Sequence, residues 1–166
     1  MSSTPRERSL TEWVVLGLLE EGPAHGFALA RLLAPGGAIG QVWAVGRPLT
    51  YRALDQLARD GLIEAAGTEA GAGPQRTLHA VTSDGRAALR TWLRTPVLRF
   101  RDVRAELLVK LLLLERSHRS TAPLLAAQRR TFAPRLAEVR TTPAVGSVGR
   151  WRRTQAEAIA EFLQPR

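Results

Sequence analysis

The chain of 166 residues contains no cysteine. That absence excludes disulfides, thiolate metal sites and thiol nucleophiles. Lysine is almost missing too, with Lys110 set against 23 arginines. Aromatic residues make up only 5% of the chain, and there is a single tyrosine, Tyr51. Long apolar runs are also lacking: the longest, Leu107 to Leu114, holds Lys110. A membrane span needs about 20 apolar residues, so no segment is expected to cross a bilayer. The first residues, MSSTPRERSLTEW, lack the basic-then-apolar layout of a secretory signal. Together these absences lead to the expectation of a soluble cytoplasmic protein without membrane partners.

Catalytic signatures are missing as well. No Ser-His-Asp order, phosphate-binding loop or nucleotide fingerprint occurs, so no enzyme, catalytic residue or cofactor is expected. The three histidines lack metal-ligand spacing, and no metal site is expected.

What is present is positive charge. The net charge of +9 invites a nucleic-acid reading. Its distribution is uneven: residues 1–95 carry 10 Arg against 9 acids, and residues 96–166 carry 14 bases against 6 acids. A solvated basic face on the second half explains the excess as well as a DNA contact does.

The most informative stretch is Val45 to Ile63. Leu49, Ala53, Leu54 and Leu57 predict the buried seam of a short helix, with Pro48 in its first turn and Gly61 at its stop. Arg47, Thr50, Arg52, Gln56 and Arg59 are left to face outward. Such a face suits phosphates and base edges.

Other elements follow from spacing. Ser9 and Glu12 form a capping box before a helix over about Leu10 to Glu20. A second helix is expected over about Ala24 to Leu33, where His25 is read as holding the turn by hydrogen bonding. Two short strands, Leu62 to Ala66 and Thr77 to Val81, flank GTEAGAGPQR as a hairpin whose closing Arg76 sits beside the tip, near Gly73 and Pro74. Arg76 is placed to reach a phosphate or minor groove, and a plain solvent loop is the alternative. A fourth helix, capped by Thr82-Ser83-Asp84, runs to about Thr95.

A domain boundary is placed near 97, giving domains 1–97 and 98–166. The second part reads as helical. Phe100, Val103, Leu107, Leu111 and Leu114 form one stripe of a helix that is apolar nearly all round. A 70-residue appendage has too little core to bury such a helix, which predicts a partner chain. A further helix, about Thr121 to Val139, carries Leu125, Gln128, Phe132, Leu136 and Val139 in coiled-coil spacing, with Pro134 expected to kink or split it. The last helix, about Val148 to Leu163, presents Trp151, Ala158, Ile159, Phe162 and Leu163. The expected dimer residues are thus Phe100, Val103, Leu107, Leu111, Leu114, Trp151, Ile159 and Phe162.

Three helices followed by a hairpin give the winged helix-turn-helix order. The fold class expected is mainly α: an N-terminal winged helix-turn-helix with a C-terminal helical dimerisation domain. The residues then carry a family resemblance. Gly22-Pro23-x-His25-Gly26-Phe27, the run from Tyr51 through Leu54 and Leu57 to Gly61-Leu62-Ile63, and Val81-Thr82-x-x-Gly85 together resemble the PadR family of transcriptional regulators. The resemblance covers about residues 10–95 well and the remainder more loosely. It implies Thr50, Tyr51 and Arg52 at the DNA-facing start of the recognition helix, and Gly73, Pro74 and Arg76 in the wing. It also implies a homodimeric repressor whose C-terminal helices exchange between subunits, often with an effector pocket near the dimer interface. The chain departs from the family in having Pro48-Leu49-Thr50 before the tyrosine, and Leu78-His79 after the wing arginine in place of an aromatic pair.

The functional expectation is a repressor that binds a pseudo-palindromic double-stranded DNA operator as a homodimer, through Arg47, Thr50, Tyr51, Arg52, Gln56, Gly73, Pro74 and Arg76, with release by a small-molecule effector. Tyr51 is expected either to donate to a phosphate or to pack its ring between helices. Trp13, Trp92 and Trp151 are either core anchors or the walls of a pocket for a small aromatic or hydrophobic effector. The alternative function is a winged-helix module for protein–protein contacts without operator binding.

Overall fold

The computed structural model describes residues 6–70 and 75–165. The chain divides into two compact units, Met1–Trp92 and Leu93–Arg166.

The first unit is built on α1 (Leu10–Glu20). Ser9 caps it, its hydroxyl oxygen accepting from the Glu12 N–H at 3.3 Å. The Glu12 carboxylate takes up the Ser9 hydroxyl hydrogen and, at 2.6 Å, the Arg6 guanidinium. Val14, Val15, Leu16, Leu18 and Leu19 are all buried, so α1 is enclosed on nearly every side. Packing of this kind, more than intrinsic propensity, holds so short a helix.

The second helix starts later than its apolar spacing suggests. Ala24–His25 form a short strand, β1, and α2 is Gly26–Leu33. The reason is the cap: His25 is extended, and its Nδ1 accepts from the Ala28 N–H at 3.0 Å. The expected hydrogen-bonding role of His25 is therefore present. After α2 the glycine-rich loop folds back on that helix, with the Ile39 and Gly40 N–H groups both donating to the Leu32 carbonyl. A Cβ at Gly40 would lie 1.8 Å from the Ala34 oxygen, so no other residue fits there. Trp43 packs beneath the loop, its indole N–H donating to the Thr11 hydroxyl at 3.2 Å.

Helix α3 (Arg47–Arg59) packs on α1 and α2. Strands β2 (Ile63–Glu69) and β3 (Arg76–Val81) then form the wing hairpin. Both strands are longer than expected, because pairing runs on to Glu69 opposite Arg76 across a bulge between Ala65 and Gly67. The sheet is antiparallel with order β1-β3-β2, and β1 is registered as Ala24 opposite His79 and His25 opposite Leu78. Helix α4 (Ser83–Arg94) follows, with Thr82 Oγ1 accepting from the Gly85 N–H.

In the second unit, α5 (Phe100–Asp102) continues through a π-helical segment (Val103–Leu107) into α6 (Leu108–Arg116). Helix α7 (Ala122–Thr141) contains Pro134 within its length, so the proline does not split it. Helix α8 (Gly146–Phe162) packs on α7. Two buried polar side chains organise this unit. Gln128 is fully buried and holds both the N–H and the carbonyl of Val97, each at 2.8 Å. Lys110 is 1% exposed and donates to the Thr95 carbonyl at 2.7 Å and to Glu106 at 2.6 Å. Among the described residues, no helix is long and apolar enough to cross a membrane.

Candidate nucleic-acid interface

The exposed side of α3 begins at its first turn. Gly46 precedes the helix without a side chain to cap it, and Pro48 sits in the first turn as expected. An uncapped helix start leaves backbone N–H groups and the positive end of the helix dipole for an anion. Arg47 and Arg52 are both exposed beside it.

The phase of the helix differs from the sequence expectation by one position. Thr50 is fully buried, whereas Leu49 is 51% exposed. The buried seam is Thr50, Ala53, Leu54 and Leu57. Burial of the threonine is tolerable because its hydroxyl donates back to the Gly46 carbonyl at 3.3 Å. Thr50 therefore leaves the outward face, and Leu49 leaves the apolar seam. Gln56 also differs from a free base-reading amide. It is half-buried, donates to Asp60 at 2.9 Å and accepts from Arg59 at 3.0 Å.

Tyr51 takes the packing position considered for it while staying accessible to solvent. It is 46% exposed, yet its ring lies against the start of α2. A Cβ at Gly26 would be 2.5 Å from Tyr51 Cε1, so the glycine makes room for the phenol ring. The hydroxyl is thereby held at the edge of the helix start.

Sequence reasoning missed the residue that links α3 to the wing. Phe27 lies beside the Gly26, Leu29, Ala30, Leu33 seam of α2 and is half-buried. The Arg47 guanidinium lies 4.7 Å from its ring centroid and that of Arg76 lies 4.8 Å away. Cations held over an aromatic face are attracted by its quadrupole. One ring thus brings the first residue of α3 and the tip-proximal end of the wing together. The available signal was Phe27's position off the helix seam. A second tie is a hydrogen bond: His25 Nε2 lies 3.3 Å from the Glu69 carboxylate on β2. Since His25 Nδ1 accepts from Ala28, the Nε2 carries the proton and donates to Glu69. Burial pushes His79, on β3, below its ordinary value, opposed by the charge of Asp55.

Arg76 is exposed at the start of β3. Gly73 and Pro74, assigned to the wing tip, lie outside the described residues.

The remaining assigned residues lie in both units. Trp13 and Trp92 stack in parallel with ring centroids 5.1 Å apart, and Arg8 lies 5.4 Å from the Trp13 ring. Trp151 is 65% exposed on α8 of the single chain. Of the residues assigned to dimerisation, Phe100, Leu107, Leu111, Leu114 and Ile159 are buried within the single chain, and Val103 is half-buried. The chain itself covers the apolar helix that was expected to need a partner. Trp151 and Phe162 remain exposed, eleven residues apart and on one face of α8 with exposed Ala158 between them.

Residues 15–91 match the family model of the transcriptional regulator PadR-like family. The structure of Bacillus subtilis PadR in complex with operator DNA is similar to the chain at a TM-score of 0.51 and 18% identity, covering 93% of this chain and 95% of that one. The same Bacillus protein in complex with p-coumaric acid gives a TM-score of 0.48 at 18% identity, with coverage of 93% and 95%. The smu.1604c protein of Streptococcus mutans gives 0.46 at 16% identity, with coverage of 92% and 95%. At such identity the likeness to the operator complex is one of fold. No curated protein matches the chain.

Proposed function

We propose that the chain, whose residues 15–91 match the PadR-like family model, is a cytoplasmic repressor of that family binding a pseudo-palindromic operator as a homodimer. The observation that carries this reading is the convergence of Arg47 and Arg76 on Phe27. It makes the start of α3 and the tip-proximal end of the wing one exposed basic face, with Tyr51 and Arg52 beside it. Arg47, Tyr51, Arg52 and the uncapped amides of α3 contact phosphates and base edges in a major groove, and Arg76 reaches the backbone or minor groove alongside. Gln56 contributes through Asp60 and Arg59 more than by direct reading.

The homodimer is supported by the exposed stripe of Trp151, Ala158 and Phe162 on α8. Exposed apolar residues sharing one helix face suit an association surface. Two-fold symmetry then spaces the half-sites about one helical turn, ~34 Å, apart. A small-molecule effector modulates the complex.

Fluorescence anisotropy with labelled DNA from the region upstream of the chain's own coding sequence tests the reading. Specific binding should weaken steeply with added salt, since each neutralised phosphate releases counterions. Arg47→Ala and Arg52→Ala should each lower affinity and reduce the salt slope by about one. Affinity equal to that for scrambled DNA, or unaltered in the Arg47→Ala/Arg52→Ala double variant, would sink the proposal.

A further inference from the structure

The second unit contains an open groove of about 770 Å³ bordered by α5, the end of α7 and the first turns of α8. Its lining is strongly one-signed. Arg99, Arg101, Arg135, Arg152 and Arg153 all border it, against the single carboxylate of Glu138. We infer that this groove is a binding site for a small organic dianion, a dicarboxylate or phosphate ester with an apolar body.

Three features carry the inference. First, five guanidinium groups bordering one concavity focus a positive potential into it that attracts an anion, although four of them are also exposed to solvent. The protein supplies little neutralisation of its own. Among the described residues, the guanidinium groups of Arg99 and Arg152 have no ion pair or hydrogen bond, and that of Arg101 reaches only its neighbour Asp102 at 3.8 Å. Second, two of the arginines are already positioned. Arg135 lies 5.1 Å from the centroid of the Phe100 ring, and Arg153 donates through Nη2 to the Thr142 carbonyl. The Nε of Arg153 is buried without a partner. A pre-positioned guanidinium loses less freedom on pairing with a planar oxyanion. Third, α8 starts at the groove wall. Its cap residue is Val145, which offers no side-chain acceptor, so the first-turn N–H groups of a 17-residue helix add positive potential to the arginine cluster.

The apolar body follows from the remaining walls. Phe100, Val145 and Val148 line the same space, and Val145 and Val148 are among the most exposed large apolar side chains of the chain. A volume of this size suits a drug-sized or metabolite-sized ligand and is too small for a folded partner. Hence the ligand presents anionic oxygens to the arginines and a hydrocarbon or aromatic part to Val145 and Val148. Binding to the groove stands independently of DNA recognition; only its regulatory consequence rests on the proposed repressor function. That consequence has a route, since the groove and the exposed Trp151–Phe162 stripe share α8.

The experiment is isothermal titration calorimetry of the full chain at 150 mM salt with phthalate, phenyl phosphate and neutral benzyl alcohol. The expected result is saturable one-to-one binding of a dianion and none of the alcohol. Arg152→Ala should weaken binding about tenfold, which is the loss of one charge-assisted pair. Glu138→Gln should tighten it, since it removes the one opposing charge and fills the same space. Circular dichroism confirms that each variant is folded. Binding of the alcohol as tight as that of the dianions, or dianion binding indifferent to both variants, overturns the inference, as does the absence of any dianion binding. The same variants assayed for DNA binding without ligand separate the two proposals. Unaltered DNA affinity with lost dianion binding supports the groove, and failure of wild-type DNA binding alone overturns the repressor reading while leaving the groove intact.

Discussion

Gly26→Ala offers a substitution that should separate stability from DNA binding. The added methyl would sit 2.5 Å from Tyr51 Cε1, 2.9 Å from Cζ and 3.1 Å from Leu54 Cδ1. Ordinary contact begins near 3.4 Å, so the phenol ring must move outward by about 1 Å. Since Tyr51 is 46% exposed, its ring can swing outward, while the buried Leu54 need give only a few tenths of an ångström. Crowding of a buried site costs about 1–3 kcal/mol, and a half-exposed ring falls at the low end of that range. Alanine in place of glycine returns about 0.5–1 kcal/mol of backbone entropy. The net change in stability should therefore be at most about 1 kcal/mol, a few degrees in Tm. The DNA face should respond more strongly. If the Tyr51 hydroxyl donates to a phosphate, its displacement forfeits about 1–1.5 kcal/mol, close to tenfold in Kd. Thermal melts and anisotropy titrations would be run on Gly26→Ala, Tyr51→Ala and the double variant. In the Tyr51→Ala background the glycine substitution should have no further effect on DNA affinity. An equal tenfold loss in both backgrounds would show that the methyl acts through something other than the ring, and the reasoning would fail.

Other outcomes follow from the same geometry. Thr50→Val should lower stability by about 0.5–1.5 kcal/mol through loss of the bond to Gly46, while specific DNA affinity stays within twofold; a large loss of affinity with unaltered melting would return Thr50 to the DNA face. Gln128→Leu strands both the N–H and the carbonyl of Val97, and urea unfolding should report a loss of about 2–5 kcal/mol. Burial holds Lys110 below its ordinary value of 10.5, with the Glu106 carboxylate partly opposing. The native state then releases this proton at lower pH than the unfolded chain does, so the contribution of Lys110 to stability rises as pH climbs from its folded value toward 10.5. Lys110→Met should flatten that alkaline rise in a pH series of urea melts, and an unaltered slope would exclude Lys110 as its source.

Much of the N-terminal fold was legible because its signals are short-range. The Ser9 cap, the Gly22 stop and the apolar pattern of Leu10 to Glu20 concern neighbours within a few residues, and α1 has the bounds that they imply. The Pro48 and Gly61 limits of α3 are of the same kind. The start of α2 was misplaced because apolar spacing continues through Ala24 and His25, whereas pairing with Leu78 and His79 makes them a strand. Sequence distance hides that competition. The phase of α3 was misjudged for a related reason. Leu49 and Thr50 are adjacent, and hydropathy alone places the leucine inward; the back-bond from Thr50 to Gly46 inverts the choice.

The candidate site divides in the same way. Arg47, Tyr51, Arg52 and Arg76 are recognisable as types and positions along the chain, since a short amphipathic helix followed by a hairpin has few architectures open to it. The sequence alone determined the winged-helix order, the basic balance and the exclusion of thiol chemistry, because periodicity, turn residues and composition are properties of the chain before it folds. Tertiary structure decided that Phe27 joins Arg47 to Arg76, that Gly26 seats Tyr51, and that five arginines surround one groove. Phe27 lies 20 positions from Arg47 and 49 from Arg76, Gly26 lies 25 from Tyr51, and the groove arginines come from both ends of the stretch 99–153, so only packing sets which charges and rings share a space.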